Sequence, residues 1–447
     1  CNFASDELHN EHCANSVQDD NIEYEEYACS DDETDDGYHS NAENLPFEMS
    51  QHDDTGPGRS SGYSCADCPR TFNTYIDLIL ATKATLLGYT KPLETEFLRV
   101  LSVDGGGIRG IIVLELIKKL EQMTGKGIFQ LFDFICGVST GSILVCGLSA
   151  KERTLDEGIF LYKDVARRVF HTPTTFDVFA ATSRLMFTHA YYDVQLWEKL
   201  LRQHMTDTRI IDTAKFHYAP KFCCVSTTIS ENSIDAHVFR NYILPSNVES
   251  IYPGSHTAAL WEVVRCSSAA PTFFGDFILN NQVHQDGGIQ FNNPSCVAIH
   301  EAKLLWPNQK ICLVSFGTGR SINKRRVDSQ KLYSLKHVSK LFNGDVTQTS
   351  SWRMKFMRIL DSATDTEQTH HILSDLMEPG NYFRFNPYLT EMISMTECDE
   401  EKLRQIEKDA LMYFRRNEDK FEELADILMK PRTNISQFRD FLTRKIH

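Results

Sequence analysis

Short apolar strands alternating with amphipathic helices predict a layered α/β fold, with a helical C-terminal extension and a disordered acidic N-terminal tail. Three observations carry this expectation. Apolar periodicity switches repeatedly between two and 3.6 across residues 97–320. Beyond residue 320 the pattern turns into long charged helical stretches, and before residue 70 it disappears. The chain is 447 residues long and 41% hydrophobic, enough for a sizeable core. No window reaches the 18 or so apolar residues that a membrane-spanning helix requires.

The elements follow in order. Residues 1–72 read as the disordered tail: the first 54 hold 17 Asp and Glu and no Lys or Arg. Such a segment cannot bury enough surface to offset the entropy of ordering. It also accounts for the acidic average, because the net charge of -15 becomes +2 once those 54 residues are set aside. Two motifs in the tail are incomplete. Asp32 to Glu43 mimics a calcium loop but has Thr34 and His39 at liganding and aliphatic positions. Cys65 and Cys68 open a zinc-finger spacing that no His pair or second Cys pair completes. Thirteen cysteines, odd in number and scattered, argue for a reducing compartment instead of a disulfide framework.

Residues 73–96 read as a helical lead-in, with Ile76, Ile79, Leu80, Ala84 and Leu87 at helical spacing before Gly88. In 97–320, residues 97–103 form a strand, 104–110 a glycine-rich turn, and 111–124 a helix stopped by Gly125. A second strand over 132–136 turns at 137–141 into an apolar helix. Further strands are expected at 221–229, 237–244 and 311–316, with helices at 260–270 and 296–305. Residues 321–447 read as the helical extension, with helices over 400–417 and 420–430.

Three motifs carry chemistry. Gly137-Val-Ser139-Thr-Gly141 is a G-x-S-x-G pentapeptide between an apolar strand and an apolar helix, the context that would raise Ser139 on a sharp turn. Helix-initial N-H groups there favour a developing oxyanion. Asp104-Gly-Gly-Gly-Ile-Arg109-Gly110 formally satisfies G-x-G-x-x-G. A dinucleotide site would need an acidic residue at a second strand end, whereas Glu121 lies in the expected helix. The P-loop reading lacks its Lys-Ser/Thr after Gly110. Consecutive glycine N-H groups beside an arginine suit an oxyanion better. The third motif, Asp286-Gly287-Gly288, leaves a carboxylate uncovered at a tight turn, as a structural turn also would. His256, His284 and His300 are each eligible by position to complete a triad.

These motifs, in this order, resemble the patatin-like phospholipases, whose hallmarks are a DGGGxRG loop, a GxSxG elbow and a D-G-G/A turn. Arg265-Cys-Ser-Ser-Ala-Ala-Pro-Thr-Phe-Phe274 and Phe316-Gly-Thr-Gly-Arg320 look like further family segments. The resemblance continues through Asp361–Glu367 and Tyr382–Asn386 toward the gamma-type calcium-independent phospholipase A2 and covers roughly residues 75–445. It implies a patatin-like layered α/β/α hydrolase domain over 97–320. It implies Ser139 as nucleophile and Asp286 as base, in a dyad without histidine. Gly105, Gly106, Gly107, Arg109 and Gly110 then form the oxyanion hole, and Gly137, Gly141, Gly287 and Gly288 support elbow and turn. The implied reaction is metal-free and cofactor-free hydrolysis of glycerophospholipid acyl esters, including lysophospholipids, at a membrane surface met peripherally. Nucleic acid is not an implied partner.

Two other readings compete. An acyltransferase would share the acyl-enzyme and pass it to an alcohol. A nucleotide-binding regulatory protein would hold ATP phosphates on Gly105 to Gly110. Residues 176–187 and 191–201 are candidates for a membrane-facing or lid role, against the alternative that they are core. The expected place is intracellular, on mitochondrial or reticular membranes rather than peroxisomal ones, since the chain ends Arg444-Lys-Ile-His447 and not Ser-Lys-Leu.

Overall fold

A computed structural model describes residues 63–65, 68–72, 90, 93–150, 154–170, 192–215, 220–321, 365–391 and 393–433. Contacts divide the chain into residues 1–51 and 52–447, and every described residue belongs to the second unit. The acidic tail up to residue 62, the calcium-like loop, the helical lead-in over 75–87 and the candidate lid at 176–187 lie outside the described residues. Cys65 and Cys68 face each other in a small antiparallel hairpin of Tyr63–Cys65 with Cys68–Phe72.

The core is a mixed sheet. Strands β1 (Leu98–Val103), β2 (Phe134–Val138), β3 (Lys221–Ile229), β4 (Ile234–Arg240), β5 (Gln282–Asp286), β6 (Ile311–Phe316) and β7 (Tyr382–Phe385) build it. Its spatial order is β7-β6-β1-β2-β3-β4, with the first five parallel and β4 antiparallel to β3. Strands β1, β2 and β6 are buried at every residue, as parallel strands covered on both faces must be. Alternation sorts their side chains: Leu101, Val103 and Ile135 enter one core, Leu98, Val100, Phe134 and Cys136 the other.

Helices cover both faces. On the first lie α1 (Gly110–Thr124), α2 (Thr140–Ala150), α3 (Leu155–Val169), α4 (Val194–Met205) and α5 (Leu260–Ser267). On the second lies α6 (Ser295–Leu305), through Val297, Ala298, Ala302 and Leu305. Helix α1 ends as expected at Gly125, whose φ of 65° is the left-handed cap that glycine adopts without penalty. The described core cysteines, among them Cys136, Cys146, Cys223 and Cys224, are free thiols.

Three expectations are corrected. The strand expected at 237–244 runs from Ile234 to Arg240; its first two residues, Ile234 and Asp235, are exposed and do not continue the buried apolar run. Residues 194–201 belong to α4, and Trp197, Leu200 and Leu201 are buried, so this stretch is core and not a lid. The C-terminal region is more than a helical extension. Its helices α7 (Glu400–Arg416) and α8 (Glu418–Met429) are present and pack on α1, yet it also supplies β7 to the central sheet, parallel to β6.

Candidate active site

Sheet topology brings two distant residues together. Strand β3 is long enough to hold two partners along one edge. Its first half pairs with β2, ending at Val138 opposite Val225, and its second half pairs with antiparallel β5, ending at Asp286 opposite Ser226. The C-terminal ends of β2 and β5 therefore meet head to head. Ser139 Oγ donates to Asp286 Oδ2 at 2.8 Å across that junction, 147 residues apart in sequence.

The turn after β2 is the sharp elbow the sequence predicts. Ser139 has φ of +52°, a conformation costing about 1–3 kcal/mol for a residue with a Cβ. A Cβ on Gly137 would collide with the Gly141 backbone, and one on Gly141 with the Val103 carbonyl. Helix α2 begins directly after Ser139, so its first-turn N-H groups are available to a negative charge. Ser267 Oγ accepts the Ser139 N-H at 2.9 Å and lies 2.7 Å from Ser142 Oγ, while its carbonyl accepts the Gly287 N-H. One serine of α5 thus braces the elbow and the Asp286 turn together.

Asp286 is held on both oxygens. Its Oδ1 accepts the Gly288 N-H at 2.7 Å, which aims Oδ2 at Ser139. Burial pushes its carboxyl up to about 6, against the downward pull of the Gly288 N-H and the Ser139 hydroxyl. It is therefore ionised at neutral pH and basic enough to take a proton. The histidines stand apart from this pair. His284 Nδ1 is 3.0 Å from Ser226 Oγ, and burial lowers the ring to about 4. His300 Nε2 accepts the Ile251 N-H, and the His256 carbonyl accepts that of Ile211.

The glycine loop lies beside the serine, with each of its carbonyls tied back. Gly105 O accepts from Thr318 Oγ1 at 2.8 Å, Gly106 O from Arg109 Nε at 3.3 Å, and Gly107 O from Tyr162 Oη at 2.6 Å and Thr140 Oγ1 at 2.9 Å. Gly107 has φ of +60° and lies so close to Met395 that a Cβ would strike its backbone. Gly106 and Gly107 line the cavity together with Ser139 and Asp286. The other two glycines expected in the hole are committed elsewhere. The Gly105 N-H donates to Asn292 O, and the Gly110 N-H closes the helical turn onto Gly107 O and Ile108 O. Arg109 fixes a loop carbonyl.

Sequence reasoning missed the residues that hold this loop: Tyr162, Thr318, Met395 and, above all, Arg384. Asp104, fully buried, is bound by Arg384 at 2.6 and 3.0 Å, and the same guanidinium donates to Ser315 Oγ at 2.8 Å. Burial pulls the Arg384 pKa down, but the charge and hydrogen bonds of Asp104, with the charges of Tyr382 and Glu367, together outweigh it and raise the group. The available signal was the alternation of Tyr382-Phe-Arg-Phe385, a short strand with its charge on an inward position. The nucleotide reading loses its acidic partner, because Glu121 Oε1 accepts the Ile128 N-H and so organises the turn after α1.

A cavity of about 600 Å³ opens at Ser139 and Asp286, and its lining is predominantly aliphatic and aromatic. An elbow serine facing a carboxylate, with a tied-back glycine loop alongside and an apolar cavity, defines the class of layered α/β proteins with a serine site. Residues 101–299 match the patatin-like phospholipase family model, so this chain carries a patatin-like domain. It is 38% identical over 365 residues to the human calcium-independent phospholipase A2-gamma, covering 80% of this chain and 44% of the relative. The rat counterpart gives 37% over 365 residues, 80% of this chain and 44% of the relative. Phospholipase A I of Arabidopsis thaliana gives 29% over 404 residues, 79% of this chain and 29% of the relative. The chain thus spans less than half the length of these relatives.

Proposed function

We propose that this chain hydrolyses the fatty-acyl esters of membrane glycerophospholipids without calcium, with Ser139 as nucleophile and Asp286 as base. The observation that carries the reading is the 2.8 Å contact from Ser139 Oγ to Asp286 Oδ2 at the mouth of an apolar cavity. Ser139 Oγ attacks the ester carbonyl carbon as its proton passes to Asp286. The oxyanion so formed is met by the Gly106 and Gly107 N-H groups and the α2 N-terminus. Collapse expels the lysolipid oxygen, which takes the proton back from Asp286 and leaves the acyl chain on Ser139. Water then attacks, Asp286 accepts its proton, and the second collapse releases fatty acid and restores the serine. Dipoles meet the developing charge, so the scheme needs no metal ion.

Phospholipid in water is aggregated, so the protein acts on a surface. No helix among the described residues is long and apolar enough to cross a membrane, and we assign a peripheral encounter. The test is fatty-acid release from phosphatidylcholine vesicles in excess chelator. Release at the same rate with and without calcium is expected; absence of release, or strict dependence on calcium, overturns the proposal.

The pH profile follows from Asp286. Only its ionised form accepts the proton, and its carboxyl titrates at about 6. We expect kcat/KM to be level above about pH 7 and to fall roughly tenfold per unit below about pH 6. A profile flat down to pH 4.5, in protein that recovers full activity on return to neutrality, would contradict Asp286 as base.

A further inference from the structure

We propose that Gly147 sets how much of an acyl chain the cavity accepts, and so determines chain-length selectivity; this rests on the hydrolase reading above. The cavity is a channel built from helical stripes. On α2 the lining residues are Thr140, Ile143, Leu144, Gly147 and Leu148, one face at i, i+3, i+4, i+7 and i+8 from the elbow onward. Helix α4 lines it with the same spacing, from Trp197 and Leu200 to Met205, and α3 adds a third stripe from Gly158 to Val169. A channel walled along helix axes runs with them, so position on α2 measures depth from Ser139.

That ruler can be read in carbon atoms. Gly147 is eight residues beyond Ser139, about 12 Å at 1.5 Å per helical residue. An extended chain advances about 1.2 Å per bond, so the tenth acyl carbon or so arrives at Gly147. Glycine here has no cap or turn to serve: it lies inside α2, where alanine is the better helix former. With no side chain of its own, it lets Met205 fill the wall at this point. The nearest atoms a Cβ would meet are the Met205 Cε at 3.3 Å and Sδ at 3.7 Å, the end of a flexible side chain. Gly147 and Met205 thus touch and form one point of the channel wall, so a larger residue at 147 displaces the end of the methionine. A larger residue at 147 closes the passage there and leaves the first ten carbons' space intact.

The measurement is hydrolysis of butanoyl, octanoyl, dodecanoyl and hexadecanoyl esters by the unaltered protein, Gly147→Ala and Gly147→Leu. We expect the hexadecanoyl-to-octanoyl ratio of kcat/KM to fall at least tenfold in Gly147→Leu, with Gly147→Ala between, since each buried methylene contributes roughly fourfold in affinity. Met205→Ala, which makes room at the same point of the wall, should restore the ratio in the Gly147→Leu background. Equal loss at every chain length, or an unchanged ratio, overturns the proposal. Binding separates it from the catalytic reading. In Ser139→Ala, hexadecanoate and octanoate affinities are read from fluorescence of Trp197, which lines the channel. Gly147→Leu should weaken hexadecanoate selectively. If that holds while the unaltered protein hydrolyses no ester, the hydrolase reading fails and the channel assignment stands; if both acids bind as before, the channel assignment fails.

Discussion

Ser139→Ala should lower kcat on phospholipid by about 10⁴-fold or more, with Asp286→Asn losing roughly 10²- to 10⁴-fold. The two differ for a chemical reason. Without Oγ no acyl-enzyme forms, and only water held near the glycine loop can attack. With asparagine at 286 the nucleophile remains, and its amide can still meet Ser139 and the Gly288 N-H, but nothing at that point accepts the proton. Both should leave vesicle binding and thermal stability near those of the unaltered protein, since each replacement is close in size and asparagine at 286 still offers an acceptor to the Gly288 N-H. An alkyl fluorophosphonate provides the direct check: its mass should appear on a peptide containing Ser139, slowly in Asp286→Asn and never in Ser139→Ala. Full turnover in Ser139→Ala would dispose of the elbow assignment.

The largest stability effect is expected at Arg384. Its guanidinium binds both oxygens of Asp104 in a site closed to water, and neither residue has another opposite charge as near. Removing Arg384 strands Asp104, at about 3–5 kcal/mol. Arg384→Met should therefore shift the urea midpoint strongly, and Arg384→Lys only in part, because an ammonium cannot grip two oxygens in parallel. The Asp104→Asn Arg384→Met double variant should lose less than the sum of its singles. An unfolding midpoint for Arg384→Met equal to that of the unaltered protein would show the pair to be idle.

The parts legible in the sequence were those with local causes. The strand over 311–316 appears at those bounds, and Gly125 stops α1, because an apolar run and a left-handed cap are decided by adjacent residues. The elbow was legible because strand, turn and helix are contiguous. What the sequence concealed is lateral. Nothing in Gln282–Asp286 reveals that it continues the edge of β3 where β2 stops, yet that register puts Asp286 against Ser139. Likewise Tyr382–Phe385 is four residues inside a region read as helical, and its place beside β6 is settled by pairing at a distance. The glycine loop showed its shape, while Thr318, Tyr162 and Thr140, which hold two of its carbonyls, came from three separate elements.

The bond from Asp104 to Arg384 closes a loop of 280 residues. At the usual 5–20 residues per second, a ribosome needs roughly 15–55 s to travel that distance. For all that time the nascent chain has its glycine loop without the clamp beneath it, and the serine has emerged long before the strand that steadies its neighbour. Synthesis therefore acts as a clock on this site: the pair of Ser139 and Asp286 stands on a finished scaffold only late, after the rest of the sheet has left the tunnel.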